Sequence, residues 1–289
     1  MGTRTQLLAR HDTPPGPGAR LQRRIQRYGW DLAAQEYEAC WQAQLAPAHA
    51  ALLAQAALVP GERVLDVACG TGLVSAAAAQ AVGARGSVLG TDLSGAMVEA
   101  AARRARDAAL HPLRFARMDA EEIELPDASV DVVLCALGLM YLPDPARALR
   151  EMRRVLRPGG RLGVAVWGER AHCGWSPVFE IVDAEVASDV CPLFFRLGEH
   201  DALAQACAQA GFAVVEQLRL PTTLHYTDAR DACDAAFIGG PAALAWSRFD
   251  AATRERVRTR YLRSIEPWRR GTGYAVPAEF VVVSAVARG

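Results

Sequence analysis

The nine residues Val64 to Gly72, VLDVACGTG, decide how the chain is read. They close a short apolar strand, Arg63 to Ala68 (RVLDVA), and enter the Ala-rich helical run Leu73 to Val82 through a turn containing Gly70 and Gly72. Glycine lets backbone N–H groups approach a ligand, and a helix N-terminus favours negative charge. Glycine-rich strand-to-helix turns also serve packing alone, so the turn needs support from elsewhere. Asp92 supplies it. This acid ends the next strand, Ser87 to Asp92 (SVLGTD), about 20 residues on, where a carboxylate can accept both hydroxyls of a ribose. The two features together predict a site for an adenosine-containing cofactor.

Outward from this unit the alternation continues. Gly95 to Ala109 has a helical pattern, Leu113 to Met118 reads as a strand, and Val130 to Cys135 (VDVVLC) as a strand buried on both faces. Asp144-Pro145 opens a helix with the stripe Ala148, Leu149, Met152, Val155 and Leu156, which Pro158-Gly159-Gly160 ends. Arg161 to Trp167 is a fifth strand, a helix through Leu203, Cys207 and Ala210 closes at Gly211, and Ala213 to Leu220 and Glu279 to Arg288 are the last strands. This order predicts an α/β, doubly wound, Rossmann-like sheet with helices on both faces. Residues 21–289 read as one domain. Leu21 to Leu58, with Tyr28, Trp30, Tyr37 and Trp41 interspersed, forms a helical cover stopped by Pro60-Gly61, and residues 1–20 form a Pro/Gly-rich mobile tail. Residues 221–277 are too long for a connecting loop and are read as a cap inserted before the final strand.

Composition narrows the partners. Thirty-two basic residues against 32 acidic ones give a formal net charge of +0, so no overall field draws the chain to nucleic acid or an anionic membrane. All the basic residues are arginine, which excludes a catalytic lysine. Arg254, Arg256, Arg258, Arg260 and Arg263 flank Val257, Tyr261 and Ile265 at helical spacing, and so decorate one amphipathic helix. The 7 cysteines (40, 69, 135, 173, 191, 207 and 233) are odd in number and widely spaced, which suggests neither a metal site nor a disulfide framework. Reduced thiols, the absence of an apolar leader and the lack of any run of roughly 18 apolar residues point to a cytoplasmic chain without a membrane span. Composition does not reveal the oligomeric state.

A nicotinamide dinucleotide is the rival cofactor, but its fingerprint wants a third small residue, Gly or Ala, where Ser75 stands, and Ala68 and Cys69 precede Gly70. The segments VLDVACGTG, GTDLSGAMVEAA, RMDAEEIELPDASVDVVLC and LREMRRVLRPGGRLGVAVW, in this order and spacing, resemble class I S-adenosylmethionine-dependent methyltransferases, and within them the ubiquinone/menaquinone-biosynthesis type. The resemblance covers about Tyr28 to Trp167. It implies S-adenosyl-L-methionine as cofactor, with Asp66, Gly70 and Gly72 at its methionine end, Asp92 on the ribose, and Leu93 and Met97 beside the adenine. It also implies Asp119 and Ala120 at the adenine amino edge, Cys135 and Ala136 under the sulfonium, and Tyr37 closing over the methionine moiety. Ala68 stands where many members have glycine, a change expected to be tolerated at negative φ.

A sulfonium is already an activated methyl donor, so the protein mainly aligns the reactants and excludes water. No Asn, Asp or His in Leu137-Gly138-Leu139-Met140 offers a base, and no catalytic residue is assigned. Tyr28, Met140 and His172, the last in the loop after the fifth strand, are candidates for the acceptor side, although a solvated loop histidine is the commoner case. His225 in the cap has a weaker claim; His11, His49 and His111 read as surface residues. The expected activity is methyl transfer to O, N or C of a small apolar or aromatic molecule. A cofactor-binding regulatory module without turnover, or less readily a nicotinamide-dependent oxidoreductase, are the alternatives.

Overall fold

A computed structural model describes residues 17–108, 112–186 and 194–288. Two helices, α1 (Pro17–Ala33) and α2 (Tyr37–Ala56), precede β1 (Arg63–Val67), α3 (Leu73–Val82), β2 (Ser87–Asp92), α4 (Gly95–Asp107) and β3 (Leu113–Arg117). Then follow β4 (Val130–Ala136), α5 (Pro145–Val155), β5 (Leu156–Trp167), α6 (Pro177–Val186), α7 (Ala202–Gln209) and β6 (Phe212–Tyr226). The helices α8 (Ala229–Phe237), α9 (Ala243–Arg248) and α10 (Ala251–Ile265), the two-residue strand β7 (Arg269–Arg270) and β8 (Gly273–Ala287) complete the chain. Of the residues read as a tail, 1–16 lie outside the described residues, as do His11, His111 and Cys191; α1 begins at Pro17.

The described strands form one mixed sheet in the order β3-β2-β1-β4-β5-β8-β6, with β7 paired to β8. The first five are parallel, and β8 runs antiparallel to both β5 and β6. Period-2 alternation splits the apolar strands between two faces. Val64, Val132, Leu134 and Ala165 pack under α2 and α3 with Leu52, Val74 and Ala78, whereas Leu65, Val133, Cys135 and Val164 join a larger core with Leu149, Met152 and Cys207 of α5 and α7. Burial on both sides explains why these strands are near-continuous apolar runs.

Local capping follows the sequence signals. The Asp144 carboxylate accepts the Arg147 N–H at 2.9 Å and caps α5, with Pro145 in the first turn. Asp144→Ala should lower unfolding free energy by about 1 kcal/mol in a urea titration, the usual worth of such a cap. The Pro158-Gly159-Gly160 segment does not separate α5 from β5: the helix ends at Val155 and the strand starts at Leu156.

The last two strands extend beyond their predicted limits, because prolines were read as strand ends. Pro221 lies within β6, an edge strand, where its missing N–H need not face a neighbour. Pro277 lies in the part of β8 beyond Phe280, the last residue paired to β5, and so has only β6 beside it. The segment 221–277 therefore gives its ends to a long β6–β8 pairing and its middle to α8, α9 and α10. Helix α6 was not legible; it packs against α10.

Candidate active site

Strand order reverses between β1 and β4, which opens a crevice at their C-terminal ends. The turns after these two strands make its floor. Ala68 has φ +55° and Leu137 φ +60°, both in the left-handed region, so the expected negative φ at Ala68 is not what the chain adopts. Such a conformation costs a residue with a Cβ about 1–2 kcal/mol, and here two of them line one cleft. Gly70 (φ +54°) lies on the cleft wall; Gly72 (φ +81°) does not, and a Cβ there would come within 2.8 Å of Phe115 Cζ. Gly72 is held to glycine by that contact and by its positive φ.

The cleft spans about 1020 Å³ of space, part of it open to solvent. Asp92, Leu93, Met97, Met118, Asp119 and Ala120 line one end of it. Asp92 is held in place by the backbone: its Oδ2 accepts Gly70 N–H and its Oδ1 accepts Ser94 N–H, each at 2.9 Å. Each carboxylate oxygen retains a lone pair for a further donor. Burial pushes the Asp92 carboxyl up, against the two amide hydrogen bonds that pull it down. The other end is aromatic: Trp30, Tyr37, Trp41, Tyr141, Trp167 and Trp175, closed by Leu137, Leu142 and Pro241.

A smaller polar cavity of about 290 Å³ shares Tyr37, Ala68, Gly70 and Ala136 with the cleft. Asp66, Thr71, His49 and the first residues of α3 line it. The Ser75 hydroxyl donates to Asp66 Oδ2 at 2.5 Å, so the serine that breaks the dinucleotide pattern orients this acid. Asp66 Oδ1 and Thr71 Oγ1 are buried without a partner among the described residues. Burial pushes the Asp66 carboxyl up to about 7 and holds His49 down to about 4, hence neutral. The Tyr37 phenol is pushed up by burial and by Asp92, so it stays a protonated donor. The first-turn N–H groups of α3 have no partner within their own helix, which makes that end of the cavity a seat for an anion. An orphaned acid, an orphaned hydroxyl and a helix N-terminus suit the ammonium and carboxylate of an amino-acid moiety. The larger cleft suits a nucleoside, so S-adenosylmethionine fits the residues present.

Helix α1 closes the mouth. Arg23, Gln26, Arg27 and Trp30 line the cleft at helical spacing. Arg23 pairs with Asp119 (3.1 Å) and with Glu121, while Asp31 Oδ1 accepts Ser94 Oγ–H at 2.6 Å. Tyr28 falls off that stripe; it is exposed, under the Arg27 guanidinium. Met140 and Cys135 are buried and line neither cavity, and His172 lies outside both, its Nδ1 3.2 Å from Glu279 Oε2. His49, read as a surface residue, lies instead on the polar cavity. Trp175 and Arg23 were not singled out either. The 23/26/27/30 spacing was a usable signal for α1, whereas nothing local marks Trp175. Among the described residues, no three His, Cys, Asp or Glu are grouped to hold a metal ion, and no helix is long and apolar enough to cross a membrane.

Known proteins resemble the chain in sequence and in fold. The family described as a methyltransferase domain matches residues 65–164. The demethylmenaquinone methyltransferase of Listeria welshimeri is 39% identical over 119 residues, 41% of this chain and 50% of that protein, so the chain spans about half the length of such relatives. The ubiquinone/menaquinone biosynthesis C-methyltransferase UbiE of Ralstonia pickettii is 38% identical over 184 residues, covering 58% of this chain and 74% of that protein. A candidate methyltransferase of Bacillus halodurans C-125 shares the fold, with a TM-score of 0.61 at 21% identity over 83% of this chain and 99% of that one.

Proposed function

Because the chain belongs to the class I S-adenosylmethionine-dependent methyltransferases, we propose that it transfers a methyl group from that cofactor to O, N or C of a small apolar or aromatic molecule. The observation that carries the reading is one of adjacency: a polar cavity holding Asp66 Oδ1 and Thr71 Oγ1, unpartnered among the described residues, shares Tyr37, Ala68, Gly70 and Ala136 with the cleft that the aromatic residues line. The cofactor, when bound, supplies an activated methyl group. Asp66 and Thr71 hold the amino-acid end, His49 lies beside them as a neutral imidazole, Asp92 takes the ribose, and Leu93, Met97, Met118 and Asp119 enclose the base. Leu137, Tyr141 and the tryptophans exclude water from the acceptor side, which strengthens every polar contact inside. Calorimetric titration with S-adenosylhomocysteine tests the donor half; absence of binding would sink the reading. Binding without turnover on any acceptor would instead favour a regulatory module, which the lack of a base in Leu137 to Met140 supports.

Asp66 makes binding proton-linked. In the free protein burial keeps this carboxyl protonated up to about pH 7, while an ammonium beside it favours the ionised form. Binding should therefore release a proton on the acid side of pH 7. Affinity should rise with pH, by about tenfold per unit at most, and level off above the Asp66 pKa. Titrations in buffers of different ionisation heat measure the released proton, and Asp66→Asn should abolish it.

The latches of α1 must open to admit a ligand. With S-adenosylhomocysteine bound, amide exchange around Tyr37 should slow markedly and that of the sheet much less. Equal exchange in both states would leave α1 and α2 as structural padding.

A further inference from the structure

Arg23 of α1 lies against two acids of the segment after β3. Its Nε is 3.1 Å from Asp119 Oδ2, and its Nη2 donates to Glu121 Oε2. Glu121 is anchored on its other side: its side chain is 2% exposed, its Oε1 accepts the Asp144 N–H at 3.0 Å, and its carbonyl accepts Arg147 Nε–H at 2.8 Å. Asp119 is the more open of the two, 27% exposed and on the cleft wall with Met118 and Ala120. Its Oδ1 accepts the Glu121 N–H at 2.9 Å, whereas the Arg23 Nε–H is not aligned for a hydrogen bond to Oδ2. Asp119 thus keeps acceptor capacity on both oxygens. Two carboxylates two residues apart repel, and a guanidinium placed against both offsets that repulsion.

We propose that Arg23 is a positioning residue for the base of the cofactor: by fixing the Asp119 carboxylate on the cleft wall, it makes α1 part of the selection of an amino-purine over a keto-purine. This rests on the methyl-transfer reading, in which Asp119 meets the amino edge of adenine. An exocyclic amino group donates and a keto oxygen only accepts, so a carboxylate at that edge pairs with the first and repels the second. Without Arg23 the Glu121 charge pushes the Asp119 carboxylate away, and nothing sets its direction. Arg23 acts through Asp119 and does not meet the reacting atoms. Coupling of this kind is reciprocal: whatever factor Arg23 adds to the binding of adenine, adenine adds to the docking of α1.

The test uses the full chain and compares, by calorimetry, S-adenosylhomocysteine with S-inosylhomocysteine, which carries an oxygen in place of the amino group. The wild type should prefer the adenine compound at least about tenfold, the worth of a hydrogen bond to a charged group. Arg23→Gln should reduce that preference to about threefold or less. Asp31→Ala breaks a different latch of α1, the one to Ser94, and should leave the preference as in the wild type whatever it does to affinity. A latch without a positioning role would weaken both compounds alike. Amide exchange along α1 should also be slower with saturating S-adenosylhomocysteine than with saturating S-inosylhomocysteine. No preference in the wild type, a preference that survives Arg23→Gln, one that Asp31→Ala lowers equally, or equal α1 exchange with the two compounds would overturn the proposal. If Arg23→Gln fails to fold, the exchange difference in the wild type still decides. Failure to bind S-adenosylhomocysteine overturns methyl transfer, whereas its binding without these differences overturns only the role of Arg23.

Discussion

Asp92→Ala is expected to weaken S-adenosylhomocysteine binding about a hundredfold, ~2.7 kcal/mol, within the range for losing charge-assisted hydrogen bonds. The carboxylate does two jobs. On the proposed function it offers lone pairs to a ribose, and in the structure it ties Gly70 N–H to Ser94 N–H across the ends of β1 and β2. Alanine removes the ligand contact and frees the turn at Gly70, so the loss exceeds that of a single contact. Asp92→Asn keeps one acceptor oxygen and should fall between, near tenfold. Alanine also leaves the Gly70 and Ser94 N–H groups without their acceptor, so Asp92→Ala should lower the urea midpoint as well, and affinity is compared under conditions where each variant is fully folded. Calorimetry with a urea titration separates affinity from stability. Unchanged affinity in Asp92→Ala would remove this residue from the site.

The second large effect concerns Gly138, just after β4. Its φ of −99° is open to any residue, yet a Cβ there would overlap the Ala68 methyl and come within 3.3 Å of Cys135 Sγ. Gly138→Ala should therefore destabilise the fold by about 1–3 kcal/mol, the usual cost of overpacking. Ala68→Gly removes the obstructing methyl and relieves the left-handed φ, at a cost of about 0.5–1 kcal/mol in unfolded-state entropy, and alone should be near neutral. The double variant should recover most of the lost stability. A double-mutant cycle in urea measures the coupling, and strict additivity would show that the Ala68 contact is not what demands glycine. Within this chain the pair amounts to an exchange: alanine stands in the turn after β1, and the glycine in the turn after β4 yields the space for its methyl.

Legibility follows from the range of the interactions involved. The strand-turn-helix at Val64 to Val82, the Asp144 cap and the apolar runs of β1, β4 and β5 rest on residues within a turn or two of one another, and their limits lie within a few residues of the sequence reading. Asp92, Leu93, Asp119 and Ala120 come together because each sits at a parallel strand's end or in the turn after it, and β/α alternation aligns those ends; Met97 joins them from the first turn of α4. Pro221 and Pro277 misled because only strand order tells an edge from an interior position.

The aromatic end of the cleft needed the tertiary structure. Trp30 and Trp41 come from α1 and α2, Tyr141 from the segment after β4, Trp167 and Trp175 from β5 and its loop, and Pro241 from between α8 and α9. No periodicity links residues so far apart. Which of them converge depends on how α1 and the insertion pack over the crevice, and that choice sent Trp175 inward and His172 to Glu279. From sequence alone follow the α/β order and the pairing of the Gly70 turn with Asp92, because short-range patterning specifies both, whereas Leu93, Met97, Asp119 and Ala120 were named through the resemblance. The positive φ of Ala68, the neutral His49 and the edge-to-face contact of Trp41 with Trp175 were decided by contacts between distant elements, where burial and close packing act and local sequence is silent.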